Sequence, residues 1–322
     1  MVRTLSSATP FSIKKAAFSL MQGELVSFPT ETVYGLGADA LNEKAVAKVY
    51  KVKARPLDHP LIVHISTLNL LDKWATAVPS GALKIANTFW PGPLTLILTR
   101  NYIAKDFVTG GQDKVGLRIP SHPTALALLS EFEKLGGLGV AAPSANRFGA
   151  VSPTSAEDVK LELGEYLTDS DLILDGGTCN IGLESTIIDF TQGMPKILRP
   201  GKISIELVQD VLKCKIETYS STNKTKVSGL LESHYSPKAK VFLTGNPKPG
   251  DGFIALANIQ TPKGAIRLAS PNNNDEFAQI LYAALRNADK LGLRSIYIIP
   301  VFGEGIASAI NDRIFKASNF KN

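Results

Sequence analysis

Cysteine is nearly absent from this chain: Cys179 and Cys214 are the only two in 322 residues, and they stand too far apart for a metal-binding spacing or a disulfide framework. Such usage suits a reducing compartment, and the cytoplasm is the expected location. Long apolar runs are also missing. Nothing approaches the roughly 18 residues of a membrane span, so no membrane partner is expected. Lys14 and Lys15 interrupt any signal-like apolar run near the start, where Ile13, Ala16, Ala17, Leu20 and Met21 instead mark an amphipathic helix. Blocks of like charge and internal repeats are lacking too. Basic residues number 35 against 29 acidic, a net charge of +6 that suits an anionic substrate or an RNA contact without requiring either.

What the chain does have is a hydrophobic content of 44%, enough at this length for about two packed domains. Its most informative stretch runs from Phe28 to His64. An apolar strand, Leu25-Val26-Ser27-Phe28, breaks into a loop at Pro29-Thr30-Glu31-Thr32 and Tyr34-Gly35-Leu36-Gly37, then re-forms as a helix over about residues 43–53. Asn42 is placed to cap that helix, and Ala45, Val46, Val49 and Tyr50 fall at core spacing. The helix delivers Lys53-Ala54-Arg55-Pro56, with the proline forcing an exit, and a strand from Leu61 to Ile65 follows. Backbone donors, hydroxyls and two cations converging on one loop make an anion pocket. The competing reading is that Lys53 and Arg55 only complement the helix dipole.

Further on, helices are expected over residues 67–76 and 80–90, then a strand over Leu94 to Thr99. A second strand, Val115 to Pro120, carries Arg118, a residue that apolar burial alone does not tolerate and that therefore points into a polar cleft. A helix over Pro123 to Leu135 and a strand over Gly139 to Ala142 lead into Pro143-Ser144-Ala145-Asn146-Arg147. The next helix starts near Ala156, with Ser152 or Thr154 as its cap. Strands at 172–175, 184–189 and 196–199 precede a helix over 203–213. Successive strands without helices between them predict a mixed α+β sheet with antiparallel pairs. Residues 218–240 turn polar and read as a linker. Beyond it, strands alternate with a long helix near 275–291 and a last one near 305–317, as in a small three-layer α/β domain. The expected division is 1–217, 218–240 and 241–322.

Taken in order, FPTETVYGLG, KARP with HPLIVHI, WPGPLT, VGLRIPSHP, APSANRFGAVSPT, LESTIID and ILRPG resemble the threonylcarbamoyl-AMP synthase family, whose catalytic domain has the YrdC fold. The family's Lys-x-Arg and Ser-x-Asn signature stands here as Lys53, Arg55, Ser144 and Asn146. The likeness covers about residues 10–205. The His-Tyr-Ser-Pro segment at 234–237 and the C-terminal domain resemble the longer, two-domain branch, whose second domain is Rossmann-like. In the linker, Ser228-Gly229 and Glu232 stand where that branch has a Pro-Gly pair and a basic residue.

The resemblance implies a nucleotidyltransferase that makes L-threonylcarbamoyl-AMP and pyrophosphate from L-threonine, bicarbonate and ATP, for threonylcarbamoyladenosine in tRNA. Its product passes to a tRNA threonylcarbamoyl transferase, with at most a weak contact to tRNA itself. Mg²⁺ is expected to ride on the ATP phosphates. By the same resemblance, catalysis falls to Lys53, Arg55, Ser144 and Asn146. L-threonine falls to Thr32, His64, Arg118, Ala142 and Ser185, and ATP to Arg55, His59, Lys114, Ser144, Ser152, Arg199 and Tyr235. Charge that builds on phosphate oxygens calls for fixed cations, and arginine suits bidentate contacts. Ser144 has no partnered base and reads as a ligand donor, not a nucleophile. Two readings stay open for His64, ligand or satisfied core histidine, and two for Tyr235, lid residue or interdomain plug.

No Walker-type phosphate loop is present, so ATP is expected to be held by this mixed cleft. Gly303-Glu304-Gly305 echoes a dinucleotide fingerprint but lacks the third glycine and follows the last strand, so it reads as a helix start. A non-catalytic RNA-binding module of the same fold is the alternative; it predicts salt-sensitive RNA binding without ATP turnover. A carbamoyl-transfer domain of hydrogenase maturation shares the fold, but it comes with zinc-finger modules that two cysteines cannot furnish.

Overall fold

The structure is a computed structural model that describes residues 5–218 and 235–319. Most of the expected linker, residues 219–234, lies outside the described residues.

Eleven strands form one mixed sheet among the described residues: β1 (Leu5–Ser7), β2 (Val26–Phe28), β3 (Gly35–Asp39), β4 (Ile62–His64), β5 (Leu94–Thr99), β6 (Lys114–Arg118), β7 (Val140–Ala141), β8 (Leu172–Asp175), β9 (Thr186–Asp189), β10 (Lys196–Arg199) and β11 (Glu217–Thr218). Their order is β1-β8-β2-β3-β7-β4-β6-β5-β9-β10-β11. Five of the neighbouring pairs are antiparallel, β2 with β3, β3 with β7, β7 with β4, β6 with β5 and β9 with β10, which matches the expected mixed α+β architecture. A second sheet holds β12 (Lys240–Phe242), β13 (Gly252–Ile254), β14 (Ile266–Ala269) and β15 (Ser295–Ile298) in the order β12-β15-β13-β14, all parallel. The helices are α1 (Pro10–Met21), α2 (Glu43–Lys53), α3 (Leu71–Trp74), α4 (Ser80–Phe89), α5 (Asp106–Thr109), α6 (Pro123–Lys134), α7 (Ala156–Leu163), α8 (Ile205–Leu212), α9 (Asn274–Lys290) and α10 (Ala307–Ser318).

Local chemistry explains the boundaries that position the site. Asn42 Oδ1 accepts the Ala45 amide at 3.1 Å and starts α2. The helix ends where Ala54 takes the left-handed conformation, φ 50°. The expected cap of α7 is corrected: Ser155, not Ser152 or Thr154, accepts the Asp158 amide. A cap must sit immediately before the first helical residue, and the helix opens at Ala156. The Gly35-Leu36-Gly37 stretch, expected as loop, is strand β3. A Cβ on Gly37 would lie 2.7 Å from Val140 and 2.8 Å from Phe28, so the glycine lets three strands approach.

One large apolar cluster joins α2, the central strands, Trp74 and Phe190. Another lies under α1 and α6, around Leu20, Phe28 and Phe132. The core around the second sheet, built on Phe277, Leu281, Ile296 and Ile310, also takes in Val33, Val151 and Leu183 from the part of the chain that forms the first sheet. That core therefore crosses between the two sheets. Gly182, beside Leu183, has φ +79°, and a Cβ there would lie 2.6 Å from the carbonyl oxygens of Ala278 and Gln279 on α9. Gly182→Ala is expected to cost about 2–4 kcal/mol of unfolding free energy, from left-handed strain and forced overpacking together. Urea denaturation of the two proteins checks it; an unchanged midpoint would show that α9 does not press on this loop.

Candidate active site

A cavity opens at the middle of the large sheet. Its walls come from the loop after β2 (Thr30, Thr32, Val33, Tyr34), the segment after α2 (Arg55), the ends of β4 and β6 (His64, Arg118) and the loop after β7 (Ala142, Ser144). The approach to β9 (Glu184, Ser185), the end of β10 (Arg199) and Tyr235 complete it.

Each wall is held by identifiable bonds. Thr30 Oγ1 donates to the Val33 carbonyl at 2.6 Å and accepts the amides of Thr32 and Val33, folding the loop so that Thr32 is buried at its turn. The Thr30 and Thr32 hydroxyls are 2.8 Å apart. Parallel pairing sets His64 opposite Arg118, so both side chains emerge on one face. Arg118 Nη2 donates to Glu31 Oε1 at 2.6 Å, and the Ser121 amide donates to the other carboxylate oxygen. His64 Nδ1 and Arg118 Nε are buried and make no hydrogen bond within the described residues. Burial, and then the Arg118 charge, hold the His64 imidazole down at about 3, so it is neutral at physiological pH.

The Arg55 guanidinium donates to the carbonyls of His59 and Pro60, at 3.3 and 3.0 Å, and lies over the Phe148 ring. Burial lowers it to about 10, which leaves it charged. Arg199 donates to the Ser185 carbonyl at 3.0 Å and to its hydroxyl at 3.1 Å, and that hydroxyl is 2.8 Å from Thr95 Oγ1. The cations lining the cavity are therefore Arg55, Arg118 and Arg199, and Glu184 is the one lining carboxylate among the described residues. Glu184 is itself bound by Arg313 at 3.0 Å. A cavity so balanced is built for an anion.

Of the residues expected at the site, Thr32, Arg55, His64, Arg118, Ala142, Ser144, Ser185, Arg199 and Tyr235 share this lining. Lys53 does not. Its ammonium is buried behind the wall and donates to the carbonyls of Ser144 and Asn146, and burial, then Arg55, push its pKa well down. Asn146 is also behind the wall, with Nδ2 donating to the Arg147 and Ala150 carbonyls. Ser152 reaches the cavity only through Glu184, to which it donates at 2.6 Å. His59 stands edge-on to Phe148 at 5.3 Å. Lys114 pairs with Asp189 at 3.1 Å, four residues up β6 from Arg118 and so about 13 Å along the strand. Glu31 and Glu184 were not singled out from the sequence. An acid flanked by threonines and an acid before Ser-Thr in an apolar strand were the available signals.

Residues 19–201 match the family model described as "Telomere recombination", which groups Sua5, YciO and YrdC proteins, and residues 203–319 match that of the threonylcarbamoyl-AMP synthase C-terminal domain. The threonylcarbamoyl-AMP synthase of Pyrococcus abyssi is 37% identical, over 97% of this chain and 95% of its own length. That of Bacillus subtilis is 36% identical, over 98% and 94%. The crystal structure of P. abyssi Sua5 complexed with L-threonine superposes with a TM-score of 0.87 at 35% identity, covering 96% of this chain and 95% of that one.

The sealed imidazole has a consequence for stability. His64 titrates near 6.5 when unfolded and about 3 when folded, so the unfolded chain takes up the proton first as pH falls. The folded state is accordingly penalised from about pH 6.5 downward, by about 1.4 kcal/mol per pH unit. Wild type is expected to lose stability between pH 6.5 and 4 more steeply than His64→Gln by about that slope. Parallel pH profiles from denaturant titrations of the two would place the imidazole in contact with solvent.

Proposed function

The chain belongs to the threonylcarbamoyl-AMP synthase family, in its two-domain form, and its activity is the synthesis of threonylcarbamoyl-AMP for tRNA modification; from that premise we propose how the cavity carries the reaction. The observation that supports this reading most directly is the convergence of three buried guanidiniums and a neutral imidazole on one space. L-threonine is held at the His64–Arg118 end, its carboxylate toward Arg118 and its amine and hydroxyl toward Thr32, Ala142 and Ser185. The triphosphate of ATP lies toward Arg55 and Arg199, with Ser144 and Tyr235 as further contacts. Threonine nitrogen first takes up CO₂ from bicarbonate, giving a carbamate and water. A carbamate oxygen then attacks the α-phosphorus, the bond to the β-phosphate oxygen breaks, and pyrophosphate leaves with its electron pair. The reaction class is therefore nucleotidyl transfer.

Catalysis in this scheme is positioning plus electrostatic stabilisation. Arg55 and Arg199 meet the charge that builds on phosphate oxygens. His64, held neutral, offers a hydrogen-bonding nitrogen without adding a fourth cation. Lys53 and Asn146 act by holding the Ser144 loop. Mg²⁺ would be carried by the ATP phosphates and would offset part of their charge; Glu31 and Glu184 are engaged by Arg118 and Arg313. The product passes to a tRNA threonylcarbamoyl transferase, and the setting is the cytoplasm.

Pyrophosphate release from ATP tests the scheme, with L-threonine and bicarbonate each omitted in turn. Release is expected to need both. Release indifferent to threonine would mean another acceptor, and salt-sensitive RNA binding without turnover would restore the binding-module reading. Arg55→Ala is expected to lower kcat/KM about 100-fold or more while the protein stays folded by circular dichroism; wild-type turnover in that variant would remove Arg55 from the phosphate site.

A further inference from the structure

Glu184 faces the cavity but takes its hydrogen bonds from behind it. Ser152 Oγ donates to Oε1 at 2.6 Å, while Tyr282 Oη on α9 and Arg313 Nε on α10 donate to Oε2 at 2.9 and 3.0 Å. Two of the three donors belong to the C-terminal domain. Arg313 is completely buried, and its Nη2 donates to the Pro200 carbonyl at 3.0 Å. Pro200 directly follows Arg199, and Arg199 holds Ser185, the neighbour of Glu184. One guanidinium from the second domain thus grips both sides of the frame in which Arg199 is set.

The charges explain what is at stake. Burial pushes the Glu184 carboxyl up, but Arg313, then Arg199 and the Ser152 hydroxyl outweigh it, and the group stands at about 2. It is an ionised carboxylate inside the protein with two guanidiniums in range. Asp312, the other acid beside Arg313, has Lys316 as a second partner at 2.7 Å. Glu184 has no such reserve other than Arg199.

We propose that Arg313, assisted by Tyr282, is a positioning residue for the synthase reaction: by engaging Glu184 it keeps the Arg199 guanidinium directed at the phosphates of ATP. The proposal rests on the reading of the cavity as the ATP site. Without Arg313, a buried anion is left uncompensated, and it draws in the remaining cation. ATP then competes with Glu184 for Arg199. The C-terminal domain contributes to nucleotide affinity in this way without touching the nucleotide.

Steady-state kinetics of four proteins test this, with circular dichroism and thermal melts on each. Arg313→Gln is expected to raise the KM for ATP about tenfold or more and to move the KM for L-threonine less than about threefold. The double variant Arg313→Gln/Glu184→Gln is expected to recover most of that loss, because a neutral amide does not compete for Arg199; a merely structural defect would persist or deepen. A single variant with wild-type KM, or a double variant as poor as the single, overturns the proposal. Tyr282→Phe removes one oxygen and keeps the packing; its KM for ATP is expected to rise about threefold, and an unchanged value overturns the proposal even if Arg313→Gln does not fold. Wild type, the fourth protein, separates the two readings. Failure of its threonine-dependent turnover sinks the site assignment, whereas turnover with no shift in the variants sinks only the role of Arg313 and Tyr282.

Discussion

A cation taken out of water must be met by oxygens, and Lys53, Arg55, Arg118 and Arg199 are all buried around the same cavity. The oxygens they meet are not of one kind. Lys53 and Arg55 are solvated by main-chain carbonyls, and Arg199 by the carbonyl and hydroxyl of Ser185. Arg118 meets a carboxylate, that of Glu31 at 2.6 Å. Carbonyl dipoles stabilise a cation without cancelling its charge, so the field persists into the space beyond. Exclusion of water then strengthens it. The loops around the cavity are shaped by this requirement: each must present its carbonyls inward to a side chain that arrives from another element.

The same requirement decides how much of the molecule was legible in advance. Helix α2 was readable to its boundaries, because the Asn42 cap, the apolar spacing and the break before Pro56 are all written locally. Strand β5 was equally plain from its branched run. Strand β3 was not, since glycines that admit close strand contact look the same in sequence as glycines that make a turn. That Thr32, His64, Ser185 and the arginines belong to one cavity was expected only through the family resemblance; local pattern alone left His64 and the Lys-x-Arg pair ambiguous. Glu184 was missed for a physical reason. Its partners Tyr282 and Arg313 stand 98 and 129 residues away, a separation that no local pattern encodes.

Those long-range bonds also bear on why the second domain is attached as it is. An apolar core that recruits Val33, Val151 and Leu183 leaves the two sheets without a free interface to slide along. Around that apolar contact lie polar ones: Arg286, largely buried, reaches Glu162 at 3.1 Å and the Val151 carbonyl, while at the exposed rim Lys202 reaches Asp275. Buried polar bonds fix register more than they add stability, because their gain is set against desolvation. Here the register they fix is that of the segment from Val151 to Glu184 and Arg199, which forms one side of the cavity. The wall is shared property of both domains.

The Lys-x-Arg and Ser-x-Asn signature can be understood as a single device on the same terms. A helix end leaves carbonyls without partners. At the end of α2 the Val52 carbonyl accepts from Arg147 Nη1 and the Lys53 carbonyl from the Phe148 amide at 2.8 Å, so the loop after β7 closes the helix. The Lys53 side chain returns the favour by donating to the carbonyls of Ser144 and Asn146, and Asn146 closes its own turn onto Arg147 and Ala150. The left-handed turn at Ala54 then sends Arg55 the other way, to the His59–Pro60 carbonyls and the cavity. Two members of the signature build and two face the ligand space. A compact ammonium suits the building role, since three donors on one atom fit between two converging carbonyls, whereas a planar guanidinium would need the loop to be reshaped around its fork. The residues that look most catalytic in a sequence are thus divided by where the helix end points them, and only the fold reveals the division.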